Sequence, residues 1–108
     1  MYEYEDNFIV RDFTEQELQE QEDKAKSEVE ALGIENTNFF YEKLVKITVY
    51  LNLCKMQYED ETIRIKYDLY KKEFDTNLKY AQAYRESFSG DNTIKVNKSL
   101  ASIKLQRG

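Results

Sequence analysis

The sequence predicts an all-α protein, a three-helix bundle with a long third helix and an extended, strand-like C-terminal arm. Three observations lead there. Apolar residues recur at steps of three and four over three stretches, the spacing of one helical face. Thr14 and Glu17 form a helix-opening capping box. After residue 90 the apolar spacing falls to two, the period of extended chain. The expected organisation is a leader over residues 1–13, a helical domain over 14–90 and an arm over 91–108.

The leader reads as irregular, or as a short strand around Phe8 to Val10. Thr14 then caps a first helix over residues 15–32. Phe13 before the cap and Leu18 inside it are placed to form a hydrophobic staple. Acids crowd the first turn, at the positive end of the helix dipole. The apolar stripe of Leu18, Ala25, Val29 and Leu32 is thin, and Gly33 stands where a left-handed C-terminal cap is expected.

Asn36, Thr37 and Asn38 make the next break, and each is a credible N-cap. The second helix carries Phe40, Leu44, Ile47, Leu51 and Cys54 on one stripe, widened by Tyr41 and Val45. It is the most apolar segment and belongs at the centre of the fold. The β-branched run from Ile47 to Leu51 would also suit a strand, but the longer stripe and flanking lysines decide for helix. Glu59, Asp60, Glu61 and Thr62 open a third helix. Its stripe runs through Ile63, Tyr67, Tyr70, Phe74, Leu78, Ala81 and Phe88. Asp68 with Lys72, and Asp75 with Lys79, are spaced to pair on its wet side. Ser89-Gly90-Asp91-Asn92 ends it with turn chemistry.

In the arm, Ile94 and Val96 alternate with Lys95 and Asn97, and Ile103 and Leu105 with Lys104 and Gln106. Two short strands are marginal alone. The partner contact is therefore expected at Ile94, Lys95, Val96, Lys98, Ile103, Lys104, Leu105 and Arg107.

The net charge of −5 hides a gradient. Residues 1–23 hold nine acids against Arg11, residues 24–88 balance, and the last twenty carry an excess of three cations. The negative total disfavours general nucleic-acid binding. The two ends are either simply solvated or able to attract one another between copies. No apolar run is long enough to span a bilayer, and no secretory signal is expected.

Histidine is absent, which removes the commonest general base and metal ligand. The three glycines are isolated, so no phosphate loop forms. Cys54 is single and sits on an apolar stripe, as a small hydrophobe does. The acidic trio Glu59-Asp60-Glu61 reads as a charged cap and loop before it reads as a magnesium site. No catalytic residue, cofactor or metal is expected. Nine tyrosines are a heavy load for this length. Part of that aromatic surface suits the core, and part suits burial against other subunits. Tyr80 and Tyr84 are expected to one side of the third-helix stripe.

Residues 44–87 give an apolar helix, an acidic break at Tyr58 to Glu61, then Tyr67-x-x-Tyr70-x-x-x-Phe74-x-x-x-Leu78-x-x-Ala81. This resembles the central part of head-to-tail connector (adaptor) proteins of tailed bacteriophages. There a leucine-rich helix end is followed by a long helix of the form Tyr-x-x-x-aromatic or Leu-x-x-x-Leu-x-x-Ala-Arg. Gln82 follows Ala81 here, so the usual arginine is missing. The resemblance implies a non-enzymatic structural protein of the virion neck, assembled in the bacterial cytoplasm. It would form a homo-oligomeric ring, usually a dodecamer, docked on the portal protein and offering a platform for tail or tail-completion proteins. Genomic DNA would pass through its channel without sequence-specific binding, and no membrane is involved. An acidic lining lets DNA slide where a basic one would hold it. Two other readings stay open: a small helical regulatory or interaction protein acting as a soluble dimer, and an acidic DNA mimic.

Overall fold

The computed structural model describes residues 1–89, and they are mostly helical, with no strand among them. The expected arm, with all eight of its contact residues, lies outside the described residues. Four helices follow in order: α1 (Asn7–Val10), α2 (Glu15–Ala31), α3 (Tyr41–Met56) and α4 (Glu61–Ser89).

The leader departs from expectation. Its centre is a single helical turn, α1, rather than a strand. Asp6 caps that turn by accepting from the Ile9 amide, and among the described residues there is no strand for it to pair with. The turn places Ile9 fully inside the core.

In α2 the capping box forms as read. Thr14 Oγ1 accepts from the Glu17 amide at 3.1 Å, and Glu17 Oε1 accepts from the Thr14 amide at 2.8 Å. Phe13 and Leu18 both pack against the core. The helix closes at Leu32, and Gly33 turns the chain with φ +85°, a left-handed geometry that costs a residue with a Cβ.

The expected cap of α3 is corrected. None of Asn36, Thr37 or Asn38 caps it; the helix begins behind Phe40, whose side chain makes no cap bond. Asn38 is used instead as a tie. Its Oδ1 accepts from the Phe40 amide at 2.9 Å, and its Nδ2 donates to the Ala81 carbonyl of α4 at 2.9 Å.

α3 is the hub. Each of the other helices packs on it, and α2 and α4 scarcely touch one another. Leu44, Val45, Val49, Leu53 and Cys54 are fully buried, so tertiary packing holds the β-branched run in a helix. Thr48 is accommodated there because its hydroxyl donates to the Leu44 carbonyl at 2.8 Å.

Asp60 opens α4 by accepting from the amides of Thr62 and Ile63. From Ile63 to Ala81 the predicted stripe faces the core, with Ile63 and Ala81 buried and Tyr67, Tyr70, Phe74 and Leu78 packed on it; the side chain of Phe88 lies outside the described part. On the wet side the ion pair differs from expectation. Asp75 lies 3.9 Å from Lys71 rather than pairing with Lys79. Such an exposed pair contributes only a few tenths of a kcal/mol, at about 0.3–0.5 kcal/mol.

Candidate docking surface

α3 presents two opposite faces, and they are finished differently. On one, the N-terminal residues cross all three long helices as a strap. Tyr2 donates its amide to Glu22 Oε1 of α2 at 2.8 Å, and the Tyr4 hydroxyl donates to the same oxygen at 2.7 Å. Lys26 Nζ stands 3.4 Å from the other Glu22 oxygen. Further along, the Asp6 amide donates to the Tyr50 hydroxyl of α3 at 3.2 Å. Asp6 Oδ2 receives the Tyr70 hydroxyl at 2.6 Å and Lys66 Nζ at 3.0 Å, both from α4. Gln57 Nε2 holds the Ile9 carbonyl at 3.0 Å.

Two acids of the negative front are therefore structural rather than solvated. Glu22 is 1% exposed, and its carboxylate is tolerated because every approach to it is a donor. Burial pushes its carboxyl upward, but the bonds from Tyr4, Tyr2 and Lys26 outweigh that and leave it below the usual range. Asp6 behaves likewise: burial raises it, and Tyr70, Lys66 and the Ile9 amide bring it down. The partner hydroxyls move the other way. Burial and the adjoining carboxylates raise Tyr4 and Tyr70 well above the ordinary phenol.

The opposite face of α3 carries no such strap among the described residues. It floors an open groove of about 300 Å³ between Val29 and Leu32 of α2 and Tyr67 and Phe74 of α4, with Thr48 and Leu51 at the base. Lys55 and Lys71 stand at its rim.

A third feature lies at the end of the molecule where α4 finishes. Phe39 and Phe40, just before α3, meet Tyr80 and Tyr84 of α4. Ring centroids are 5.1 Å apart for Phe39–Phe40, 5.7 Å for Phe40–Tyr80 and 6.2 Å for Phe40–Tyr84. Tyr80 and Tyr84 thus sit to one side of the core stripe, as the spacing implies. Phe39 is 75% exposed and Tyr80 54% exposed. Arg85 braces the neighbouring loop by donating from Nη1 to the Gly33 carbonyl at 2.9 Å.

Sequence reasoning missed Phe39. The signal was present, since the Phe39-Phe40 doublet follows a turn and only its second member fits the α3 stripe. A further exposed pair, Ile65 and Leu69, lies one turn apart on α4, each 56% exposed.

Among the described residues no group of three or more acids or cysteines is gathered to hold a metal ion. The acidic trio serves as the α4 entrance, where Arg64 Nη1 donates to the carbonyls of Tyr58 and Glu59. The Cys54 thiol is buried, and burial pushes it up to about 11, so it stays protonated at neutral pH. Among the described residues no helix is long and apolar enough to cross a membrane. The chain matches no family model, no curated protein and no solved structure.

Proposed function

We propose that this chain is a structural subunit of a tailed-phage head-tail connector, working by oligomerisation and docking rather than by chemistry. It would form a ring on the portal protein, continue the DNA channel and present a platform to tail or tail-completion proteins. The helical domain would be the body of each subunit, a three-helix bundle, and residues 91–108 an extended arm that reaches a partner.

One observation carries the reading beyond the sequence resemblance. Among the described residues, apolar side chains stand exposed at two separate levels along α4: Ile65 with Leu69, and Tyr80 with Phe39. Residues 65 and 80 are roughly 22 Å apart along the axis, and the exposed Lys72, Glu73 and Thr76 come between. A head-to-tail ring requires two unlike patches on every copy, whereas a two-fold dimer requires one. The charge gradient along the chain supplies a second asymmetry of the same kind.

The Ile65–Leu69 pair taken alone also suits a two-fold contact, which favours the soluble-dimer reading as the rival. Electron microscopy and native mass spectrometry of the full chain, with and without the portal protein of the same virus, separate the two. Rings or a portal complex support the connector. A dimer that ignores the portal protein overturns it. Deleting residues 93–108 is expected to leave the helical circular dichroism intact and to abolish portal binding or ring formation. Unaltered assembly by the truncated chain would count against the arm.

A further inference from the structure

Among the described residues Phe39 and Tyr80 of the aromatic patch stand exposed, which is unusual because large rings are among the side chains most favourable to bury. Acids stand at the end of α2 and on the loop that leads into the patch. Glu30 at the end of α2 and Glu35 in the loop before Phe39 are both exposed, and together with Gly33 and Ile34 they line an open concavity of about 440 Å³. Arg85 already donates to the Gly33 carbonyl, and Glu30 Oε2 already accepts from the Tyr41 hydroxyl at 2.6 Å. An aromatic face next to an acidic loop fits a segment that offers aliphatic side chains with lysines between them.

This chain contains such a segment. Ile94 and Val96 flank Lys95, Lys98 follows, and Ile103, Lys104, Leu105 and Arg107 repeat the theme, with only Asp91 as an opposing charge. The described chain ends at Ser89, five residues beyond Tyr84 on the same helix, so the remaining 19 residues depart close to the patch. Fully extended they reach about 60 Å, beyond the 49 Å long axis of the described molecule.

We infer that the Phe39–Tyr80 patch is the receptor for residues 93–107 of a second copy, gripping aliphatic side chains on its rings and lysines on Glu30 and Glu35. The inference rests on the ring reading, since a contact between unlike surfaces of successive copies is what closes a ring. It adds where on the neighbour the arm lands.

A complementation experiment on full-length chains tests it. One variant loses the patch (Phe39→Ser with Tyr80→Ser), and another loses the segment (Ile94→Asp with Val96→Asp). Sedimentation velocity is expected to show the wild type assembled and each variant alone monomeric, with helical circular dichroism retained. An equimolar mixture of the two is expected to recover a heterodimer, because one intact patch then meets one intact segment. Glu35→Lys, an exposed change that leaves the rings in place, is expected to weaken wild-type assembly by ~tenfold or more, about 1.4 kcal/mol. Assembly by either double variant alone, or a mixture that stays monomeric, overturns the inference. A wild type that binds the portal protein yet never self-associates also overturns it, while leaving the connector reading standing.

Discussion

The strap face and the loop-end patch are both rich in aromatic side chains, yet they treat them in opposite ways. At the strap, Tyr4 and Tyr70 each give a hydroxyl to a carboxylate, and Tyr50 receives the Asp6 amide. The rings of Tyr50 and Tyr70 lie 4.8 Å apart beneath the strap. At the loop end, Phe39 offers no polar handle and stands 75% exposed against its neighbours. Tyrosine paired with a buried acid fixes one geometry, because both groups lose if either moves. The Phe39 ring packs edge-on against Phe40 at 5.1 Å and still leaves most of its area exposed. The heavy aromatic content thus divides between rings that close this subunit and rings that stay exposed among the described residues.

The contrast is most severely tested at Ile9. Ile9→Ala empties a fully buried site and is expected to lower unfolding free energy by about 2–5 kcal/mol, read from urea denaturation. A loss below ~1 kcal/mol would mean the strap is decorative. Next comes Asp6→Ala, which strips the partner from the Tyr70 hydroxyl and Lys66. It is expected to cost about 1–3 kcal/mol.

The same anchors give a pH dependence of defined sign. Asp6 and Glu22 both titrate below their ordinary values in the fold, so the unfolded chain binds more protons than the folded one in acid. Their stabilisation is complete above about pH 5 and is lost as pH falls through the ordinary carboxylate range near 4 and below. Melting temperature measured from pH 7 to pH 3 is expected to drop at the acid end, and Asp6→Asn is expected to flatten part of that drop. The smallest effect belongs to the patch. Phe39→Ser is expected to shift subunit stability by no more than about 0.5 kcal/mol while changing the sedimentation of the full chain. A large stability loss there would erase the distinction between the two regions.

The long helices were legible because their signals are local. The capping box at Thr14, the reversal at Gly33 and the stripe from Ile63 to Ala81 each lie within a few turns of chain. The strap was not legible, because its anchors join residues 44 and 64 positions apart, such as Asp6 with Tyr50 and with Tyr70. Nothing near Asp6 announces those partners. Glu22 was hidden in another way, as one acid among many on an acidic helix. Its burial depends on Tyr2 and Tyr4 arriving from elsewhere. Asn38 was read as a cap from its type and position; its oxygen holds the Phe40 amide within the turn, and its amide nitrogen reaches α4.

The hub arrangement of α3 also dictates an order of events in folding. Contacts of α2 with α3, and of α3 with α4, join neighbours in sequence and close short loops, a topology associated with rapid folding. The bonds from the first residues must wait, since their receiving surface exists only once three helices are assembled. Among the described residues the amino-terminal stretch is therefore expected to dock last and to leave first. In hydrogen exchange its amides should open well before those of α3, whose protection reports the global unfolding of the subunit.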